Sequence, residues 1–215
     1  MNDVRYGIFL RPDPATCWTV TQITLALNKQ FGLVSAAAFP PHATLIGNLH
    51  TDTTEAGLIS VLDTVFATIE PFSVFNHGIE RESDRYGYNL NDDASGAAPN
   101  AAMANVALAV AQAIAPLSVP VDDYAVTPVG SYKFAAHLGL AAHELYVDNR
   151  LSDEVGEFLA GLPLIPPISF VAKWYSLFEF SADWSGYWWE DMSWRHLRSW
   201  ETRPRQEAGE PPSAS

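Results

Sequence analysis

Basic residues are scarce in this 215-residue chain: 12 Lys and Arg stand against 25 Asp and Glu, which gives a formal net charge of −13. Binding to the backbone of a long nucleic acid requires a basic surface, so the composition argues against that class of function. A small anionic ligand is still compatible, because a few local donors can hold one phosphate. The single cysteine, Cys17, excludes an internal disulfide and a metal site made of several thiolates.

Long apolar runs and targeting signals are also absent. No apolar stretch approaches the roughly 20 residues that a membrane-spanning helix needs, and residues 1–5 lack the charged and then apolar pattern of a signal peptide. The sequence has no Gly-rich phosphate loop and no Gly-x-Ser-x-Gly turn. With 48% hydrophobic residues, the chain is expected to be a globular cytoplasmic protein with no membrane partner.

Helix and strand patterns alternate along the chain in two halves. Asp13-Pro14 combines a capping side chain with a proline suited to the first helical turn, and Gly32 suits a helix end, which together predict the first helix. The other periodicities predict further helices over 58–69, 103–114 and 152–162. They predict single strands over 6–10, around His42, around His137, over 168–180 and over 193–200. Two more strands are predicted within 72–92, on either side of a polar turn at 80–84. Residues 91–100 are expected to form a loop between the halves. Residues 1–202 are expected to form one bilobal domain, and 203–215 a disordered tail.

The run 39–45, Phe-Pro-Pro-His-Ala-Thr-Leu, carries the clearest chemical signal. Side chains alternate between the faces of a strand, so His42 and Thr44 are expected to face one cleft while Ala43 and Leu45 anchor them from behind. An imidazole and a hydroxyl on one face could supply proton transfer and hydrogen bonding to the same ligand. A related pattern follows in the second half, where His137 is in place but Gly139 occupies the hydroxyl position.

In these features the chain resembles the two-histidine phosphoesterase superfamily, which includes cyclic phosphodiesterases and 2′-5′ RNA ligase-like proteins. Its hallmark is His-x-Thr/Ser followed by a hydrophobic residue, present twice; His42, Thr44 and Leu45 match it fully, and His137 with Leu140 matches it in part. The resemblance covers most of the chain up to about residue 200. It implies an α+β fold of two pseudo-symmetric lobes, each a small, mainly antiparallel sheet with helices packed outside, and an active cleft between them.

The resemblance implies metal-independent hydrolysis of a 2′,3′-cyclic nucleotide or a related small phosphodiester. His42 and His137 would be the paired acid and base, because an imidazole can serve in either role near neutral pH. Thr44 would donate a hydrogen bond to the phosphate, and a main-chain N–H at Gly139 could replace the missing hydroxyl. Lys133, on the expected face of the His137 strand, could add charge. No cofactor or metal is implied; the expected partners are a small nucleotide or RNA ends, and the chain is expected to be a monomer.

Four alternatives remain open. The missing hydroxyl at Gly139 suggests a weakened site that binds a nucleotide or phosphorylated ligand without turning it over. His143 is a second candidate for the paired histidine if the strand runs that far, and His42, His50, His137 and His143 could instead converge on a metal with an acidic residue. Finally, five tryptophans fall within residues 184–200, a pattern that suits base stacking, core packing, a lobe-closing flap or protein docking.

Overall fold

The computed structural model of the chain describes residues 3–121, 134–163 and 167–204. Its strands are β1 (Asp3–Arg11), β2 (Ala43–Leu49), β3 (Phe72–Phe75), β4 (Ile79–Glu82), β5 (Arg85–Asn89), β6 (His137–Ala141), β7 (Ser169–Ala172), β8 (Trp174–Ala182) and β9 (Ser193–Glu201). Its α-helices are α1 (Pro14–Phe31), α2 (Glu55–Phe66), α3 (Ala101–Ile114), α4 (His143–Val147), α5 (Ser152–Gly161) and α6 (Trp188–Asp191). None of the described helices is long and apolar enough to cross a membrane.

All of the described strand pairs are antiparallel. The largest sheet has the order β2-β1-β8-β9, a second sheet has the order β4-β5-β6, and β3 pairs with β7. The strand that follows His42 therefore lies in the first sheet, and the strand that begins at His137 lies in the second. The predicted α+β class with small antiparallel sheets is confirmed, and the two histidine motifs belong to separate sheets.

The first helix shows how local signals set the element boundaries. The Asp13 carboxylate accepts a hydrogen bond from the Thr16 amide at 2.9 Å, and Pro14 occupies the first turn, where its missing N–H costs nothing. The helix ends at Gly32, whose φ of 74° is in the left-handed region that favours glycine. Both predicted ends of this helix are therefore confirmed.

The helices cover the sheets and join them through one core. α1 packs against β6 and α5, whereas α2 and α3 pack against each other and against β9 and β2. As a result α1 follows a strand of the first sheet in sequence but covers a strand of the second. Ile8 of β1, Ile23 of α1 and Leu138 of β6 are fully or almost fully buried members of the same apolar cluster. Burial of this cluster holds β2, which follows His42, in a fixed position relative to β6, which begins at His137.

Several predicted boundaries were wrong. The predicted strand over 168–180 is two strands in different sheets, because the chain leaves the β3 partner at Ala172 and pairs with β1 from Trp174. Residues 72–92 hold three strands rather than two, and the polar turn shrinks to residues 83–84. The helix predicted over 58–69 instead spans Glu55–Phe66. Lys133 and residues 205–215 of the predicted tail lie outside the described residues.

Candidate active site

A cavity of about 420 Å³ brings the two histidine motifs together. Thr44 of β2 lines it together with His42, which lies directly before that strand and not on it, and His137 and Gly139 line it from the second sheet. Its volume lies within the range of roughly 300–1,000 Å³ that is typical of small-molecule sites. The four residues that the sequence singled out in the two motifs therefore share one cavity.

His42 is oriented by the backbone just upstream of it. Its Nδ1 lies 2.8 Å from the Pro40 carbonyl oxygen, which can only accept, so Nδ1 carries the proton and Nε2 is left as an acceptor. The rings of Phe9 and Phe39 contact the imidazole edge-on, with centroids 4.4 and 4.8 Å away. Burial among these groups lowers the pKa of His42 to about 4, although the Pro40 carbonyl opposes the shift; the nearby His137 lowers it further.

His137 repeats this arrangement. Its Nδ1 lies 3.0 Å from the carbonyl oxygen of Ala135, again two residues upstream, so Nδ1 is the protonated nitrogen. Its Nε2 lies 3.4 Å from Nη1 of Arg85, which can only donate, so Nε2 is an acceptor. Burial lowers the pKa of His137, the Ala135 carbonyl partly opposes this, and the positive charge of Arg85 lowers the pKa further. Both motif histidines are therefore neutral in the free protein near pH 7.

The second residue after each motif histidine differs between the two halves. Thr44 is half-buried and lines the cavity, while its neighbours Ala43 and Leu45 are fully buried on the core side. Gly139 is exposed toward the cavity, and a Cβ added there would meet no atom within 4 Å. Its φ is not among the positive values of the chain. Neither packing nor backbone conformation therefore requires a glycine at this position.

Arg85 and Glu144 contribute to the site but were missed by the sequence analysis. Arg85 lies at the start of β5 and lines the cavity beside His137. The Glu144 carboxylate accepts hydrogen bonds from the amides of Val34 and Ser35, both at 2.6 Å, and from the Ser35 hydroxyl at 2.5 Å. These bonds connect α4 to the loop that leads to His42. No local pattern reveals either residue, since both act on segments distant in sequence.

His143 is not on the His137 strand, because β6 ends at Ala141 and His143 begins α4. It nevertheless lines the same cavity. Its ring centroid lies 4.7 Å from that of Trp188 and 5.7 Å from that of Trp189. Burial lowers its pKa, and the neighbouring Glu144 opposes this shift. The condition under which His143 would share the strand face of His137 is thus not met, but its position makes it part of the site.

Four of the five clustered tryptophans divide into two groups, while Trp189 contacts His143 without lining the cavity. Trp184 and Trp188 line the cavity, and the Arg5 guanidinium lies 4.5 Å from the centre of the Trp184 ring. Trp194 and Trp200 instead support the structure: the Trp194 indole donates to the Ala38 carbonyl at 3.1 Å, and Trp200 is buried against Phe66. Aromatic rings therefore form part of the cavity lining, and Trp188 lies beside His143.

The remaining histidines lie elsewhere. His50, His77 and His196 do not line the cavity. Within residues 3–121, 134–163 and 167–204, no group of three or more His, Cys, Asp or Glu side chains is arranged to hold a metal ion. The convergence of four histidines on a metal is therefore absent from the part of the chain that the structure describes.

Comparison with known proteins relates this fold to solved structures. No protein-family model and no curated protein sequence matches the chain. A crystal structure described as a phosphoesterase has 14% sequence identity and a TM-score of 0.54, covering 94% of this chain and 100% of that one. TT0787 of Thermus thermophilus has 15% identity and a TM-score of 0.55 over 94% of this chain and 100% of its own. E. coli LigT complexed with 3′-AMP has 14% identity and a TM-score of 0.51, covering 94% of this chain and 99% of LigT. The fold expected from the resemblance to two-histidine phosphoesterases is thereby confirmed.

Proposed function

Given a fold shared with solved phosphoesterases, we propose that this protein is a metal-independent phosphoesterase that hydrolyses a 2′,3′-cyclic nucleotide or a related small phosphodiester. The observation that carries the proposal is the matched pair of histidines. Each donates its Nδ1 proton to a carbonyl two residues upstream, and each therefore keeps Nε2 as an acceptor at the same cavity. Paired imidazoles with a fixed tautomer suit general acid and base catalysis.

In the proposed step, a water oxygen attacks the phosphorus on the side opposite the leaving ribose oxygen. Nε2 of one histidine takes the proton from this water as the new P–O bond forms. The other histidine enters the step protonated and gives its Nε2 proton to the ribose oxygen as that P–O bond breaks. One ring thus gains a proton and the other loses one, so the total charge of the pair is unchanged. Proton exchange with solvent then restores the starting protonation state of each ring. Either histidine could take either role.

The low pKa values of the two rings affect how this step begins. Neither imidazole holds a second proton near pH 7 in the free protein. A bound phosphodiester anion attracts the imidazolium and so raises the pKa of the ring beside it. Substrate binding would therefore favour protonation of one of the two histidines. Thr44 would donate a hydrogen bond to a non-bridging oxygen, where charge builds during the reaction. Acidic conditions should therefore favour the free enzyme's productive protonation state.

A small nucleotide is the substrate class that the site suits best. The cavity of about 420 Å³ has room for one nucleoside and its phosphate. Trp184 and Trp188 line it and could stack on the base. E. coli LigT has been crystallised with 3′-AMP and with NADP+. We extend nucleotide binding to this chain as part of the proposal, with the ends of short RNA as a related substrate. A net charge of −13 disfavours long RNA and hence RNA ligation.

The second candidate function is a binding module on the same fold. It is favoured by Gly139, where the second motif lacks the hydroxyl and a side chain would have room. In this case the cavity would hold a nucleotide without hydrolysing it. Gly139→Thr separates the two functions: a gain in hydrolysis identifies a weakened enzyme, whereas weaker binding of 3′-AMP identifies a glycine adapted to a bulkier ligand.

The proposed function is tested by incubating the EDTA-treated protein with the four 2′,3′-cyclic nucleotides and separating the 2′- and 3′-monophosphate products. We expect turnover of at least one substrate to a single regioisomer, and a loss of at least about 10²-fold in His42→Ala and in His137→Ala. His196→Ala is the matched control, because that exposed residue lies outside the cavity. Wild-type rates in either motif variant would refute the paired mechanism, and loss of turnover in His143→Ala alone would transfer the role to His143.

A further inference from the structure

The second histidine motif has an open position where the first has a hydroxyl. Alternation along β6 puts His137 and Gly139 on the same side, facing the cavity, while Leu138 and Leu140 are fully buried. A ligand bound between the sheets would therefore meet the Thr44 hydroxyl on one side and no side chain at Gly139 on the other. Charge developing on the phosphoryl group beside His137 needs another donor.

The neighbouring strand β5 places a cation on this side. Its residues alternate, with Tyr86 and Tyr88 buried and Arg85 and Gly87 half-buried between them. Gly87 lies directly opposite Gly139, and the register of β5 and β6 shifts between Tyr86 and Gly87. Burial along β5 still alternates, and Arg85 lines the same cavity as the incomplete motif, two residues along the strand from Gly87.

The contacts of Arg85 fix its guanidinium beside the reacting nitrogen of His137. Nη1 lies 3.4 Å from His137 Nε2, and Nη2 is paired with the Glu82 carboxylate. The Arg85 side chain is only 25% exposed, whereas that of Glu82 is 70% exposed. A guanidinium has five N–H donors in a planar fork, so it can hold Glu82 with one edge and an anion with another.

We propose that Arg85 binds the non-bridging phosphoryl oxygens beside His137 and takes the place of the hydroxyl that is missing at Gly139. This inference rests on the proposed function and names a further ligand-binding residue of the same site. Arginine pairs with phosphate through charged, often bidentate hydrogen bonds, which are about twice as strong as neutral ones. The two halves of the site are thus unequal, with a neutral donor at Thr44 and a charged donor at Arg85.

Binding of the anion also changes the surroundings of His137. In the free protein, Arg85 directs an N–H toward Nε2 of this ring and occupies its lone pair. When the guanidinium turns to the phosphoryl oxygens, Nε2 becomes available for proton transfer, and the bound anion offsets the arginine charge. Arg85 therefore connects phosphate binding to the release of the catalytic nitrogen.

The first test compares Arg85→Ala with Arg81→Ala. Arg81 is the matched control, because it lies in the same hairpin but pairs with Asp153 and does not line the cavity. Isothermal titration with inorganic phosphate and with 3′-AMP should show at least tenfold weaker binding for Arg85→Ala and a change of less than twofold for Arg81→Ala. This measurement requires no turnover, so it decides the role of Arg85 even if no cyclic nucleotide is hydrolysed and the proposed function fails.

The second test is rescue. On a cyclic nucleotide that the wild type hydrolyses, Arg85→Ala should lower kcat/KM by about 10²-fold, the typical effect of removing one transition-state donor. Adding Gly139→Thr to this variant should recover at least tenfold, because a side chain at this position has room and lines the same cavity as Thr44. Arg85→Lys, which keeps the charge but not the fork, should lie between the wild type and Arg85→Ala.

Circular dichroism and urea unfolding establish that each variant is folded, and Arg85→Lys replaces Arg85→Ala in both comparisons if the alanine variant is not. Unchanged phosphate affinity and an unchanged rate in the folded Arg85 variant would overturn the proposal. A rate loss in Arg85→Ala with unaltered phosphate and 3′-AMP affinity, and with no recovery from Gly139→Thr, would also overturn it, because Arg85 would then act on His137 alone.

Discussion

Lowering the pH from 7 to 5 is expected to reduce the free energy of unfolding of the wild type by about 2 kcal/mol more than that of His42→Asn. The perturbation acts on one buried ring. His42 has a pKa of about 4 in the folded protein against an ordinary value of 6.5. Asn is the chosen replacement because its side-chain amide can still donate to the Pro40 carbonyl but does not titrate.

The magnitude follows from this pair of pKa values. Each pKa unit corresponds to about 1.4 kcal/mol, so the full shift is worth about 3 kcal/mol. Because the folded-state pKa is the lower one, the unfolded chain binds more protons between pH 6.5 and 4. The contribution is thus complete above pH 6.5 and is lost as the pH falls toward 4, and about 2 kcal/mol is gone at pH 5.

The assay is urea unfolding of both proteins at pH 7, 6 and 5, followed by tryptophan fluorescence. The comparison cancels the titration of the carboxylates and of the histidines away from the cavity, which both proteins contain. NMR titration of the His42 ring gives an independent value. A change in the stability difference of less than about 0.5 kcal/mol between pH 7 and 5, or a His42 midpoint at pH 6 or above, would refute the account of the buried imidazole.

Three further predictions concern catalysis, packing and the site loop. The ratio kcat/KM should be highest below pH 6.5, because both motif histidines have lowered pKa values; a maximum above pH 7.5 would contradict paired imidazoles. Gly156→Ala should lower the free energy of unfolding in urea by about 1–3 kcal/mol, because the added Cβ would lie 2.5 Å from the hydroxyl of the buried Tyr86. Gly161→Ala is the control, since open space surrounds it, and should change the free energy of unfolding by under about 0.5 kcal/mol. Equal effects of the two variants would refute this packing argument. Glu144→Ala should speed hydrogen exchange at the Val34 amide, which donates to that carboxylate, and unchanged exchange would show that the loop does not depend on it.

Elements with local signals could be predicted from the sequence. The cap at Asp13, the proline after it and Gly32 set both ends of α1, because each acts on its own turn of helix. α3 and α5 were likewise predicted to within a residue or two. The short-range alternation around His42 correctly separated the core side chains from the cavity side chains, since that alternation is a property of the strand itself.

Boundaries that depend on partners were not predictable. Residues 168–180 are mostly apolar, with Lys173 near their middle. The chain changes sheets at this residue, because β7 ends at Ala172 and pairs with β3, whereas β8 begins at Trp174 and pairs with β1. Strand pairing joins residues that are far apart in sequence, and neither periodicity nor composition encodes it. The same reason applies to His143, since the sequence does not indicate that β6 ends at Ala141 and that His143 begins α4.

The sequence by itself determined the chemistry that is available: an imidazole and a hydroxyl at His42 and Thr44, a second imidazole at His137, a gap at Gly139 and a composition unsuited to long nucleic acid. Tertiary structure alone decided that both imidazoles line one cavity, that burial lowers their pKa values, and that Arg85 lies beside His137. The reason is physical. Residue identity and local backbone preference act within a few positions, whereas burial, charge proximity and cross-strand contacts arise only when distant segments pack together.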